Sequence, residues 1–476
     1  MRYVSTRGDA PELGFADVLL AGLASDGGLY VPATWPALPD LAGLRGYAEI
    51  AAAVMAPYVG DELGAGVLAE ICAAAYAGPD ADTPVFRHAD VVPLVALAAL
   101  DHEQHLLELF HGPTLAFKDI ALQVVGRLFD HVLGQRGERV TIVGATSGDT
   151  GSAAIDGVKA CDNVDIVILY PAGRVSDVQR RQMTTVASPN VHTVAIDGTF
   201  DDCQALVKAM FADARFRDDL RLSAVNSINW ARVMAQVVYY VTASRALAPG
   251  PGDPPVTFVV PTGNFGNVLS GWIARRMGAP IADFVISSNA NDILPRFVTA
   301  NDMTARVVVP TLSPSMDIQV SSNFERLLFE MNGRDGGLTH EQLHQFAVSG
   351  ALAVEPDQFE QYIRGSFRAC RVDDDATLAE IARVHAATGM LIDPHTATGT
   401  AAAHRLAGEL VARPVVTLAT AHPAKFPDAV ARATGVRPEL PAHLADLFDL
   451  PERTAELPND LAAVQQFVRA VARIGV

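Results

Sequence analysis

A lysine stands where an apolar run, a Gly-Pro turn and a helix meet, in Phe110-His111-Gly112-Pro113-Thr114-Leu115-Ala116-Phe117-Lys118-Asp119. Leu106, Leu107, Leu109 and Phe110 read as a short buried strand, and His111-Gly112-Pro113-Thr114 as a turn, because Gly and Pro together interrupt regular structure. Ile120, Val124, Val125, Leu128, Phe129 and Val132 then recur at helical spacing, with Gly134 and Gly137 as stops. Asp119 falls in the first turn, where a carboxylate suits the positive helix end. Apolar neighbours and that same end disfavour an ammonium. The neutral amine is the form that attacks a carbonyl to make a Schiff base. The plain alternative for Lys118 is a solvated surface lysine that happens to follow a Phe.

Three further loops follow apolar strands, at the sheet edge where open parallel sheets bind ligands. Gly263-Asn264-Phe265-Gly266-Asn267 lies between a strand and a helix, and two glycines there let free N–H groups approach an anion such as a phosphate. It matches neither the Walker pattern nor a dinucleotide fingerprint, and an ordinary glycine turn is the alternative. Ser147-Gly148-Asp149-Thr150-Gly151 adds hydroxyls to the same setting, suited to a carboxylate or phosphate. Asp149 would repel such an anion unless it bonds the loop backbone, the usual task of Asp in a turn. Thr420 ends an apolar strand, where threonine is common, and its hydroxyl can meet a heterocyclic nitrogen.

His111, His395 and His422 are separate in sequence and form no His-x-x-x-His pair, so no metal site is expected. A Gly-x-Ser-x-Gly elbow is absent, which disfavours a serine hydrolase. The formal charge of -18 argues against general nucleic-acid affinity, while leaving room for a local basic pocket. Cys72, Cys161, Cys203 and Cys370 are widely spaced, as reduced thiols of a cytoplasmic protein would be. The N-terminus lacks a signal-peptide core, and the longest apolar run, Val91 to Leu100, contains Pro93 and is too short to span a membrane.

These loops need a scaffold, and 476 residues with 50% hydrophobic content suffice for two or three domains. Residues 1–95 read as a mostly helical segment, with helices near Phe15–Leu23, Tyr47–Met55 and Leu63–Ala75. Residues 96–250 alternate strands (Val140–Val143, Val164–Tyr170, Val191–Ile196) with helices, one from Ser152 and one from Asp201. The Pro/Gly-rich stretch Ala248–Pro255 is the clearest linker. A second α/β region, 251–450, opens on the strand Val256–Val260 and the helix Val268–Met277, and closes after the strand Val415–Thr420. Helical pieces lie near Asn323–Met331, His340–Phe346 and Leu378–Gly389, and 451–476 reads as a C-terminal helix, Asp460 to Ile474. The alternation predicts an α/β fold of two parallel-type sheets with helices on both faces, plus the N-terminal helical segment.

Taken together, these motifs resemble the threonine synthase family, pyridoxal-phosphate enzymes of fold-type II. The resemblance also takes in Asn226-Ser227-Ile228-Asn229-Trp230-Ala231-Arg232, Ser313-Pro314-Ser315-Met316-Asp317, Thr420-Ala421-His422-Pro423-Ala424-Lys425-Phe426, and the opening Tyr3-Val4-Ser5-Thr6-Arg7-Gly8 and Asp26-Gly27-Gly28-Leu29-Tyr30-Val31-Pro32. It covers nearly the whole chain in order and points to the longer branch of the family, which tends toward monomers rather than dimers. The resemblance implies that Lys118 holds pyridoxal 5'-phosphate as a Schiff base. Gly263, Asn264, Phe265, Gly266 and Asn267 would cradle its phosphate, and Thr420 would face the pyridine nitrogen. The implied reaction converts O-phospho-L-homoserine and water to L-threonine and phosphate, by γ-elimination and addition of water at Cβ. Ser147, Asp149, Thr150, Asn229 and Arg232 are the candidate substrate contacts, with Arg232 as the phosphate clamp. The alternative for Arg232 is a surface arginine on the helix near Ala231 to Val238. Competing readings are a serine/threonine dehydratase or β-replacement enzyme with the same cofactor, and a non-catalytic binding protein of the same fold.

Overall fold

The computed structural model describes residues 1–64, 66–77, 84–97, 100, 104–224, 226–410 and 413–474. Residues 65, 98 and 99, which belong to the expected helix Leu63–Ala75 and the apolar run Val91–Leu100, lie outside the described residues. Two sheets carry the architecture. The smaller has five parallel strands in the order Ala455–Pro458, Val191–Asp197, Val164–Pro171, Val140–Ala145 and Leu222–Ser223. The larger has six, in the order Phe367–Arg371, Ile281–Ser288, Val256–Pro261, Val415–Ala419, Gln104–Glu108 and Leu94–Ala96. All its strand pairs are parallel except that Leu94–Ala96 runs antiparallel to its neighbour.

Alternation along the strands explains why helices cover both faces. In the small sheet Ile142, Ile166 and Ile168 pack toward Ala153, Ile155 and Phe129, while Val143, Val167 and Leu169 pack toward Leu206, Met210 and Val464. In the large sheet Phe258 and Val260 join the main core, and Val259 and Val285 pack on Ala402 and Ala403 of the helix Pro394–Arg405. Successive strand side chains point to opposite faces, so an unbroken apolar run is a strand with no wet side. The helix Trp230–Leu247 is buried nearly all round and touches the helices Tyr47–Val59, Lys118–Arg136 and Gly266–Met277. It belongs to the core cluster shared by both sheets.

The sheets do not follow the contiguous blocks expected from the sequence. Gln104–Glu108 pairs with Val415–Ala419 in the large sheet, although it falls within 96–250. Ala455–Pro458, in the stretch read only as a C-terminal helix, extends the small sheet beside Val191–Asp197 before the helix Leu461–Val471. Both are short strands whose place is set by a distant partner, and no local pattern encodes that choice. The N-terminal segment is helical as expected, over Phe15–Ala21, Tyr47–Val59 and Val67–Tyr76, with an added antiparallel pair, Tyr3–Ser5 and Tyr30–Pro32. Among the described residues no helix is long and apolar enough to cross a membrane.

Candidate active site

Lys118 opens the helix Lys118–Arg136, and the turn before it is pinned on both sides. The Phe117 N–H donates to the Thr420 carbonyl at 2.9 Å, and the His422 N–H donates to the Leu115 carbonyl at 3.0 Å. This short antiparallel bridge, Ala116 opposite Ala421, brings the lysine to the end of the strand Val415–Ala419 and beside Thr420. Beneath the turn, Asp119 accepts from the Thr114 N–H at 2.8 Å and the Thr114 hydroxyl at 2.6 Å. A Cβ on Gly112 would meet the Asp119 side chain at 2.5 Å, so this turn needs glycine.

Lys118 is 7% exposed. Its Nζ donates to Asp149 Oδ2 at 3.2 Å, while Lys425 Nζ lies 2.7 Å from Asp149 Oδ1 and donates to the Thr114 carbonyl at 2.8 Å. Gln179 Nε2 and Ser315 Oγ also donate to this carboxylate, at 2.8 and 3.4 Å. Burial works to raise the Asp149 pKa, but the two lysines outweigh it and hold the carboxyl well below its usual range. Burial pushes the Lys118 pKa down, against the pull of Asp149, and Lys425 and Arg232 push it down further. Asp149 is therefore neither a turn cap nor a carboxylate left free for substrate. Thr146 organises the loop instead, its hydroxyl accepting the Gly148 and Gly151 N–H groups at 3.0 and 2.9 Å. The helix starts at Asp149, three residues before the expected Ser152. Ser147 is exposed on the loop, and Thr150 is half-buried in the first turn of the helix.

The strand Val256–Pro261 is the parallel neighbour of Val415–Ala419, which puts the Gly263 loop and Thr420 at one sheet edge. Phe265 sits at φ 62°, a left-handed conformation held by its ring against Phe324 and Phe367, and it starts the helix Gly266–Met277. A Cβ on Gly263 would fall 2.6 Å from the Ser315 carbonyl oxygen. Asn264 accepts the Asn323 N–H at 3.1 Å through its carbonyl, closing the loop. Asn267 Oδ1 accepts from Tyr239 and Tyr240 at 2.5 and 2.9 Å, which leaves its buried Nδ2 without a partner among the described residues. The cup thus combines a helix N-terminus, two glycines and an unspent amide donor, a set that fits a phosphate.

Ser315 ties the pieces together. It touches Asp149 with its hydroxyl, borders Gly263 with its carbonyl, and donates its N–H to His395 Nε2 at 3.2 Å. Because Nε2 accepts, Nδ1 carries the ring proton and donates to Asp393 at 2.9 Å. His395 is thus an orienting residue, and among the described residues no group of three or more His, Cys, Asp or Glu could hold a metal. From Lys118 to the glycine cup the path runs through only Asp149 and Ser315.

The residues Asn226–Arg232 supply the last part. Asn229 caps the helix Trp230–Leu247, accepting the Ala231 N–H at 3.0 Å and donating to the Leu19 carbonyl at 2.9 Å. Its amide is used for the fold, contrary to the expected substrate contact. Arg232, expected as a clamp with a surface arginine as the alternative, is 3% exposed. Its Nε and Nη1 have no partner among the described residues, and burial pushes its pKa down to about 10. A buried cation without an acceptor is costly unless an anion completes it. Lys425, Ser315 and Gln179 carry no local sign of their roles, since each reaches the site from a different segment of the chain; the one hint is a lysine set among apolar residues in Ala424-Lys425-Phe426.

Comparison with known proteins agrees in fold and in sequence. Residues 2–76 match the family described as threonine synthase N terminus, 85–421 that of pyridoxal-phosphate dependent enzymes, and 396–468 threonine synthase, C-terminal. The threonine synthase of Pseudomonas aeruginosa is 54% identical over 473 residues, covering 98% of both chains. The crystal structure of pyridoxal-phosphate-bound threonine synthase from Brucella melitensis superposes with a TM-score of 0.93 at 50% identity, over 99% of this chain and 100% of that one. The yeast threonine synthase structure gives 0.92 at 37% identity, over 99% and 98%.

Proposed function

The chain belongs to the threonine synthase family of pyridoxal-phosphate enzymes, and from that premise we propose that it converts O-phospho-L-homoserine and water to L-threonine and phosphate. One observation carries the choice of a phosphate ester over a free amino acid: Arg232, a buried guanidinium without an acceptor, lies close enough to Lys118 to disfavour its ammonium. A dehydratase or β-replacement enzyme acting on free serine needs a place for the carboxylate but has no use for a second phosphate pocket.

Pyridoxal phosphate, when bound, supplies an electron sink for the charge that develops on the substrate carbons. Lys118 would anchor it, and the N–H groups of Gly263 to Asn267 would receive its phosphate. Thr420 would offer the ring nitrogen an uncharged hydroxyl, a weaker partner for a protonated nitrogen than a carboxylate. The Lys118 amine, favoured in its neutral form by burial, takes the proton from the substrate Cα. Asp149 and Lys425 hold that amine in position, and Arg232 binds the ester phosphate through its planar fork. Ser147 and Thr150, on either side of Asp149 at the start of the helix Asp149–Val158, receive the substrate carboxylate. Exclusion of water from Lys118 follows from the turn locked down by Thr420 and Thr114.

The test is release of inorganic phosphate and L-threonine from O-phospho-L-homoserine, together with a mass-spectrometric map of the borohydride-reduced holoprotein. The label is expected on Lys118, and Lys118→Ala should lose turnover. Near-normal rates in that variant, or no phosphate release by the parent, refute the proposal. The unpaired cysteines, with Cys72, Cys161 and Cys203 buried, fit a reducing cytoplasm. The likeness to the longer branch favours a monomer, which light scattering on the purified protein checks.

A further inference from the structure

We propose that a second cavity, beyond the Leu115–His422 contact, is a binding site for a free α-amino acid with an apolar side chain. The cavity has a volume of about 390 Å³ and is lined in part by Arg87, Glu108, His111, His422 and His443. None of these belongs to the lysine–glycine-cup site. A pocket of this size takes a small molecule.

Its polar groups divide into donors and acceptors. His422 Nδ1 accepts the Ala424 N–H at 3.1 Å, so the proton of its neutral ring is on Nε2, where it can donate. Burial holds that ring neutral, pushing its pKa down to about 4. Arg87 stands exposed at the rim with no carboxylate partner among the described residues. These two suit a carboxylate. In the same cavity Glu108 receives His111 Nε2 on Oε2 at 2.7 Å and keeps Oε1. The buried Nε2 of the His443 ring has no partner among the described residues. In the tautomer that carries its proton on Nδ1, this nitrogen presents a lone pair. A carboxylate oxygen and an imidazole lone pair suit an ammonium group. Phe110, Leu115, Met390 and Leu391 supply an apolar wall. A phosphate dianion would be repelled by Glu108, whereas a zwitterion with an apolar tail uses every group.

The wall is continuous with the catalytic turn. Leu115 and His422 are joined backbone to backbone at 3.0 Å, and the next such bond, Phe117 to Thr420 at 2.9 Å, borders Lys118.

The experiment is calorimetric titration of the holoenzyme with L-leucine, before and after borohydride has fixed the cofactor to Lys118 and closed that site to other amines. One saturable site per chain is expected in both forms. Arg87→Gln and Glu108→Gln should each weaken it about tenfold or more, the worth of one charge-assisted contact. 4-Methylpentanoate, which keeps the carboxylate and the chain but lacks the ammonium, should bind weaker by a similar factor. Arg87 is exposed, so its variant folds and remains informative. No saturable binding, loss of binding on reduction, indifference to either substitution, or equal affinity for 4-methylpentanoate overturns the proposal.

Discussion

Lys118 and Lys425 share one carboxylate, each bonded to a different oxygen of Asp149, at 3.2 and 2.7 Å. Two amines on one acid make Lys425 a countercharge that leaves Lys118 less need of its own proton. In Lys425→Met the like charge is gone and Asp149 belongs to Lys118 alone, so the Lys118 pKa rises. The acid limb of the kcat profile, which reports the complex in which the Lys118 amine is free, should then move to higher pH, with activity near neutrality falling accordingly. Loss of a wholly buried ion-pair partner should also cost about 3–5 kcal/mol of stability. An acid limb that stays in place while stability falls would reduce Lys425 to a structural role.

Arg232 sets function against stability. In the ligand-free protein its buried guanidinium lacks acceptors at Nε and Nη1. Arg232→Met removes that burden, so the ligand-free variant should be as stable as the parent or more stable by about 1–3 kcal/mol. Its kcat/KM for the phosphate ester should fall by about 2–5 kcal/mol, roughly 30- to 5000-fold. Inorganic phosphate should raise the melting temperature of the parent and leave the variant unmoved. A destabilised variant that phosphate still protects would place the anion site elsewhere.

The parts of this site that can be read from the sequence are those built by consecutive residues. A strand, a Gly-Pro turn and a helical repeat announce Lys118, and a strand, two glycines and a helix announce Gly263 to Asn267. Asp149 stood in a recognisable loop, but its partners, Lys118, Lys425, Gln179 and Ser315, come from four other segments and no spacing relates them. A capping amide and a binding amide look alike in sequence, and only the partners of Asn229, Ala231 and Leu19, show its amide engaged in the fold. Gln104–Glu108 joins the other sheet, and Ala455–Pro458 is a strand where only a helix is expected, for a similar reason: strand pairing is decided between distant segments.

Gly263 should not tolerate a side chain. A Cβ there lies 2.6 Å from the Ser315 carbonyl oxygen, and Ser315 is tethered by its N–H to His395. Gly263→Ala is expected to cost about 1–3 kcal/mol by overpacking and to weaken cofactor binding measured by absorbance titration. Gly408→Ala, where a Cβ meets nothing within 4 Å, is the control and should change neither. Equal cofactor affinity in Gly263→Ala would mean that the cup does not hold the phosphate.

Asp119 ties the pH dependence of stability to the catalytic turn. It is wholly buried beside Lys118, and burial raises its pKa to about 7 although Thr114 donates two hydrogen bonds to it. In the unfolded chain an aspartate titrates near pH 3.9, roughly, so between about pH 4 and 7 the folded state alone keeps the proton. The contribution is therefore full below about pH 4 and is lost as pH rises through 7, at about 1.4 kcal/mol per pH unit. Asp119→Asn cannot ionise, yet its Oδ1 can accept the Thr114 N–H and its Nδ2 can donate to the Thr114 hydroxyl. Denaturant unfolding of parent and variant from pH 4 to 8 should give a difference that grows in favour of the variant up to about pH 7 and then levels. A difference that does not change with pH would show that Asp119 is already ionised in the fold, with its charge carried by Thr114 and the helix terminus.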